Sequence, residues 1–168
     1  PGKIYLRMNG KFGKQDLMMF MSGMSPAFLR QWPNYPLIVR GSVTGNMNHI
    51  DFNELFIKLP TAFDVLANGY VANPMDINHI DTEVHLNAHT YNLGFATTFF
   101  DKNIMSQYRI PSGIGVMGRF RIKGKHYSAD LVANEGSGTV HAKGQFDAAS
   151  MTYQASLKAN NLQIHHFI

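Results

Sequence analysis

The chain has 168 residues, of which 45% are hydrophobic and only 15% are charged. This composition excludes a disordered segment and is sufficient for one domain with an apolar core. A formal net charge of +4 raises nucleic-acid binding as a class of function. The absence of cysteine excludes disulfides and cysteine-ligated metals.

Both ends of the sequence look like the interior of a fold. Residues 1–6 alternate between polar and apolar side chains as a strand does, with no signal-peptide pattern. Residues 162–168 are largely apolar and lack a polar tail. We therefore expect the chain to be a segment of a longer polypeptide.

Two segments have apolar residues at helical spacing. In the first, residues 15–31, the spacing is interrupted by Gly23 and Pro26, which indicates one kinked helix or a pair. The second extends from Leu93 to Tyr108 and ends before Pro111. We predict short helices near 15–31 and 93–108.

The sequence that follows each helical segment is repeated. Residues 37–45 match residues 114–122 when Gly41 is aligned with Gly118, and Val43 then aligns with Phe120. Such self-similarity is typical of repeat architectures. We interpret residues 1–14 as the end of a preceding repeat, and 15–91 and 92–168 as two helix-plus-meander repeats in one continuous structural unit.

Turn signals recur through both repeats and separate short alternating runs, which predicts consecutive antiparallel strands. The signals are Gly45-Asn46, Asn68-Gly69, Asn73-Pro74, Gly124-Lys125, Asn134-Glu135-Gly136 and Asp147-Ala148. Alternate positions predict one apolar face, which is the candidate lipid groove. Its residues are Val39, Val43, Phe52, Ile57, Phe63, Val65, Val84, Leu86, Val116, Phe120, Ile122, Leu131, Val140, Phe146, Tyr153 and Leu157.

A sheet with one apolar face has to cover that face, and two short helices are too small for about eight strands. We therefore predict a mainly β fold in which a long antiparallel meander curls into an open half-barrel, a β-taco with a hydrophobic concave face. Glycines at inward positions would permit a tight bend. The candidates are Gly41, Gly69, Gly118 and Gly144.

The densest group of basic residues alternates with apolar ones, as on a strand with one wet face. It comprises Arg119, Arg121, Lys123 and Lys125. Such a row commonly protects a strand from edge pairing, and this interpretation is favoured over a nucleic-acid surface.

Three kinds of site have weak signals. Residues 113–118 match the dinucleotide fingerprint, but a helical segment precedes them and a strand follows, the reverse of what that motif requires. His85 and His89 have metal-ligand spacing, but on a strand they lie about 13 Å apart. No recognisable constellation of a Ser or carboxylate with a base emerges from the sequence. We expect no cofactor, no metal and no enzyme activity, although a hydrolase assembled in space stays open.

Each predicted helix opens on an acidic or amide residue followed by leucine, Asp16-Leu17 or Asn92-Leu93, and ends near a proline. A strand rich in glycine then follows, such as Val39-Arg40-Gly41-Ser42-Val43-Thr44-Gly45. This pattern resembles the TamB/AsmA-like proteins of Gram-negative envelopes. The resemblance covers essentially the whole chain. It implies a β-taco within a periplasm-spanning protein anchored in the inner membrane.

The resemblance also implies a function. Such proteins are associated with moving phospholipid towards the outer membrane, and with outer-membrane assembly alongside an Omp85-type partner. We expect a non-catalytic groove that binds phospholipid acyl chains. The alternative is a scaffold or chaperone that offers sheet edges to outer-membrane β-barrel proteins by β-augmentation.

Overall fold

The computed structural model describes residues 2–20, 23–99 and 110–163, apart from the side chains of Phe20 and Phe99. Nine strands account for most of these residues. They are β1 (Ile4–Phe12), β2 (Leu37–Asn46), β3 (His49–Leu59), β4 (Phe63–Ala72), β5 (Asp81–Thr90), β6 (Gly115–Lys123), β7 (His126–Glu135), β8 (Gly138–Asp147) and β9 (Thr152–Asn160).

Each strand pairs antiparallel with the next, so the sheet order is the chain order from β1 to β9. The pairing of β5 with β6 runs unbroken from Asp81↔Lys123 to His89↔Gly115. The two halves therefore form one continuous sheet. Within the described ranges β1 and β9 are not paired with each other, so the sheet is open. The predicted mainly β, curled and unclosed meander is confirmed.

The first predicted helical segment is a pair of helices, α1 (Lys14–Phe20) and α2 (Pro26–Gln31). Pro26 occupies the first turn of α2, where its missing N–H costs nothing, and the Ser25 hydroxyl accepts a hydrogen bond from the Phe28 amide at 3.2 Å. The second segment contains a 3-10 helix, Gly94–Phe99. The predicted helix over 100–108 lies outside the described residues.

The buried core is small and lies where these helices meet the sheet. Phe28 of α2 packs edge-on against Phe95 of the 3-10 helix, with ring centroids 5.7 Å apart. Both rings pack with Leu59 and Ala62, and Trp32 lies against the cluster. The helices thus cover one end of the sheet, at the start of β2 and the β3–β4 turn, and leave most of the apolar face uncovered.

At two glycines of the apolar face, the neighbouring strand comes closer than a side chain would allow. A Cβ on Gly69 would collide with the carbonyl oxygen of Glu83, and one on Gly118 with that of Asp130. Only glycine allows the neighbouring strand to come this close. Gly144 is not required by such a close approach, because a Cβ there would meet nothing within 4 Å.

One predicted turn is also wrong. Asn68-Gly69 lies in the middle of β4, not between strands. The Asn68 side-chain oxygen accepts a hydrogen bond from the Glu54 amide at 2.8 Å. Glu54 has a φ of +49° in the β3 bulge, where the register with β4 shifts. The Asn68 side chain therefore stabilises the bulge of the neighbouring strand β3. An Asn-Gly pair can thus occur within a strand for this reason as well as in a turn.

Candidate functional site

Strand register places all sixteen candidate groove residues on the same face of the sheet, which we call the apolar face. Directly opposed residues share a face, and the opposed pairs connect β2 to β9 without a change of side. The other side, the polar face, carries the alternate residues, including Arg40, Glu83, His85, Arg119, Asp130 and Lys143.

One line of opposed residues crosses the whole sheet near its middle, and we call it the central row. It consists of Leu6, Val43, Phe52, Gly69, Val84, Phe120, Ala129, Gly144 and Ala155. The last three members are the smallest residues in an unbroken run. Because alanine has only a Cβ and glycine has no side chain, the apolar face is low at these three residues.

Larger side chains border this low stretch towards the β6–β7 and β8–β9 turns, where the next row carries Tyr127, Phe146 and Tyr153. Phe120 and Ile122 of β6 border it as well. The depression over Ala129, Gly144 and Ala155 that these side chains line, which we call the furrow, has a volume of about 400 Å³. That volume is in the range of small-molecule sites, about 300–1,000 Å³.

The furrow exists in the second half because a ring is missing there. In the first half, the Cζ atom of Phe52 lies 2.9 Å from where a Cβ of Gly69 would be, so the ring covers this glycine. Ala129 lies opposite Gly144 as Phe52 lies opposite Gly69. It has no ring to cover Gly144, and the space above that glycine is open.

The chemistry of the furrow is that of hydrocarbon. Its floor lies on β7, β8 and β9, whose main chains pair with each other in continuous register. Main-chain groups of β7 and β8 are therefore engaged in ladders and cannot hydrogen-bond an incoming polar ligand. Phe120, Tyr127 and Phe146 supply exposed ring surface. The arrangement suits a ligand with no hydrogen-bonding needs along its length.

Displaced pKa values occur away from the furrow. Burial, followed by a hydrogen bond to Asp81 at 3.1 Å, raises the pKa of Tyr70 on the polar face. A hydrogen bond to Asp64 raises the pKa of Tyr91. Both are structural phenol–carboxylate pairs that hold neighbouring elements together.

A larger depression, of about 680 Å³, is lined mainly by polar-face residues of β6 to β9. Its charges are mostly matched within the protein. Arg121 lies 3.3 Å from Glu83, and His126 lies 3.2 Å from Asp147. With these side chains occupied by each other, the polar depression is a weaker candidate than the furrow.

The same contacts correct the interpretation of the basic row as edge protection. β6 is an inner strand, flanked by β5 and β7. Arg121 reaches across to β5, where it contacts Glu83 and lies 3.9 Å from Asp81. The alternation of charge on β6 thus reflects cross-strand pairing with acidic residues of β5.

No family model, curated protein or solved structure matches this chain. In residues 2–20, 23–99 and 110–163, no group of three or more His, Asp or Glu side chains is placed to hold a metal ion. His165 and His166 lie outside these ranges. None of the described helices is long and apolar enough to cross a membrane.

Sequence reasoning found the apolar face but missed the furrow. Ala129, Gly144 and Ala155 were not among the candidate groove residues, because small residues carry little hydrophobic signal. Extending the 77-residue offset of the predicted repeat beyond residues 37–45 would have paired Phe52 with Ala129. A loss of volume at one position of an otherwise matching repeat indicates where an apolar face is left unfilled.

Proposed function

We propose that the chain is a non-catalytic lipid-binding segment whose apolar face, and the furrow above Gly144 in particular, holds an acyl chain. The observation that carries the proposal is the unfilled central row: Ala129, Gly144 and Ala155 form a low floor beside the aromatic row of Tyr127, Phe146 and Tyr153. Each methylene removed from water there contributes about 0.8 kcal/mol.

The continuity of the apolar face supports a guiding role in addition to simple binding. Apolar residues follow one another across nine strands, so a chain displaced from the furrow meets further apolar surface at Phe120 and Val84. The sheet is open, so a head group could remain in water while the acyl chain lies on the apolar face. Net movement would follow a gradient, since hydrophobic contact supplies affinity and no direction.

The resemblance to TamB/AsmA-like proteins extends the proposal to a setting. In that setting the chain is part of a periplasm-spanning protein anchored in the inner membrane, and the ligand is phospholipid on its way to the outer membrane. An Omp85-type protein is the partner that this resemblance suggests for the full-length chain. The sequence pattern alone supports this part of the proposal.

Ala129→Phe tests the furrow, because it restores at the second glycine the ring that Phe52 places over the first. Palmitate is the probe, and its binding to the purified chain is measured by isothermal titration calorimetry. We expect Ala129→Phe to weaken binding at least tenfold. The reciprocal variant, Phe52→Ala, uncovers Gly69 and is expected to add a second palmitate.

The matched control is His141→Phe, which adds the same ring to the polar face of β8, where His141 is exposed. Palmitate affinity should not change in this variant. Equal affinity in wild type and Ala129→Phe would exclude the furrow as the site. A wild-type chain that does not bind palmitate at all would contradict acyl-chain binding altogether.

A further inference from the structure

The furrow lies beside a turn that carries two lysines. Ile122 and Tyr127 oppose each other and line the furrow on β6 and β7, and the turn between them begins one residue further on, about 3.3 Å along the strand. We call residues 123–126 the basic turn, because Lys123 and Lys125 lie in it and both are exposed. Since a lysine ammonium group stands on a flexible four-carbon stem, two cationic donors are within reach of a ligand in the furrow.

Main-chain hydrogen bonds hold the basic turn in place from both sides. The Gly124 amide donates to the Ile80 carbonyl oxygen at 2.7 Å, and the Ala148 amide donates to the Lys125 carbonyl oxygen at 2.9 Å. Gly124 has a φ of +56°, and a Cβ there would lie 2.8 Å from the Asn78 carbonyl oxygen, so the turn after β4 packs closely against this one. The main chain that carries both lysines is therefore fixed relative to the furrow.

The carboxylates nearest the basic turn already have partners. Each accepts a hydrogen bond or forms an ion pair at 3.2 Å or less, and the pairs are Asp76 with His79, Asp81 with Tyr70, and Asp147 with His126. In the described part of the chain, no carboxylate forms an ion pair with Lys123 or Lys125. This holds although Asp81 lies directly opposite Lys123 in the β5–β6 ladder. Both lysines are thus available to an anion from outside.

The other end of β7 has the opposite charge. That end carries Glu135, and residues 131–140 contain no Lys or Arg. An anionic group is therefore favoured at one end of this part of the sheet, beside the basic turn.

We propose that the ligand of the furrow is a lipid with an anionic phosphate head group, which Lys123 and Lys125 bind while the acyl chain lies over Gly144. This inference rests on the proposed acyl-chain binding and adds the class of head group. Lysine is a common phosphate ligand, acting as a point charge.

The aromatic row suggests a different head group, a quaternary ammonium bound by cation–π contact. The rings of Tyr127 and Phe146 have centroids 6.0 Å apart and are inclined by 35°. They form a wall on one side of the furrow, and the nearest free charges beside that wall are the two lysines. A phosphocholine group would place its own cation next to them, which offsets the attraction of its phosphate. Charge therefore favours the anionic head group.

Two lysophospholipids with the same palmitoyl chain separate the head group from the acyl chain. Palmitoyl-lysophosphatidylglycerol is anionic and palmitoyl-lysophosphatidylcholine is zwitterionic, and each is titrated into the purified chain below its micelle concentration by isothermal titration calorimetry. We expect the anionic lipid to bind about three- to tenfold more tightly in low salt, because exposed ion pairs are individually weak. High salt should bring the affinity ratio close to one. Inorganic phosphate alone should show no measurable binding.

A double variant tests the two lysines. Lys123→Gln with Lys125→Gln should bring the affinity ratio of the two lysophospholipids close to one in low salt. The matched control is Lys3→Gln with Lys11→Gln, which removes the same two charges from exposed positions at β1, five strands from β6. This control should keep the wild-type ratio.

The possible failures are distinguishable. Equal affinity of the wild-type chain for the two lysophospholipids, or a preference for the choline lipid, would overturn the head-group assignment and leave acyl-chain binding intact. An unchanged ratio in the Lys123 and Lys125 double variant would show that other groups bind the anion. Phosphate alone binding as tightly as the anionic lipid would detach the lysines from the furrow. Binding of neither lysophospholipid would contradict acyl-chain binding itself, and this inference with it.

Discussion

In the first half of the sheet the ring of Phe52 covers Gly69, and α2 with the 3-10 helix packs on the strand ends. In the second half Ala129 leaves Gly144 open, and Phe120, Phe146 and Leu157 remain exposed. The strand pattern is the same in both. Two halves with the same strand order thus differ in how far their apolar face is filled, through the packed helices at one end and the ring of Phe52 in the central row.

The largest expected effect concerns the packed region. Leu59 is 0% exposed, so Leu59→Ala leaves a cavity and should lower the free energy of unfolding by about 2–5 kcal/mol. Leu157→Ala removes the same atoms from an exposed position and should change it by no more than about 0.5 kcal/mol. Urea denaturation followed by circular dichroism measures both. Similar losses in the two variants would mean that the second half is as tightly packed as the first.

A smaller effect is expected at the paired glycines. Gly69→Ala forces a Cβ into the Glu83 carbonyl oxygen and the Phe52 ring, and should destabilise the chain by about 1–3 kcal/mol. Gly144→Ala meets open space and should stabilise it by about 0.4–1 kcal/mol, because alanine restricts the unfolded chain. The two midpoints should move in opposite directions in the same denaturant titration. A loss of stability in Gly144→Ala would show that the furrow is occupied by protein.

The smallest effect concerns the turns after β4 and β8, each of which contains an acidic residue. A hydrogen bond from His79 is the main cause of the lowered pKa of Asp76, whereas the amides of Ser150 and Ala149 lower the pKa of Asp147. We therefore expect His79→Ala to return the pKa of Asp76 towards 3.8. His126→Ala should leave the pKa of Asp147 low.

Carboxyl chemical shifts in an NMR titration measure both values. Since both pKa values are lower in the folded chain than in the unfolded chain, each ionised carboxylate stabilises the folded state at any pH above the ordinary carboxyl pKa. That contribution is lost as the pH falls through the lower, folded value. A normal pKa for Asp147 in His126→Ala would mean that its main-chain hydrogen bonds are weak.

Much of the fold could be predicted because alternation of apolar and polar residues determines the face of each strand. Val84, Phe120 and Phe146 were assigned to one face from their spacing alone, and the register places them there. The helix break was predicted equally well, because Pro26 is unfavourable in the interior of a helix and instead begins α2.

What the sequence could not give depended on neighbours in space. Asn68-Gly69 has the composition of a turn, and only its position beside the β3 bulge explains why it lies within a strand. Gly69 and Gly144 are also indistinguishable in isolation. Their difference comes from the residue on the adjacent strand, a long-range pairing that composition does not encode.

The uninterrupted meander has a consequence for how the chain folds. Because each strand pairs with the one that follows it, most hairpin contacts join residues close in sequence, and such low contact order favours rapid folding. The sheet can grow one hairpin at a time as polypeptide is delivered, without waiting for a distant segment. Every completed hairpin presents a fresh row of main-chain groups to the next, so the length of the structure is limited by the number of strands supplied.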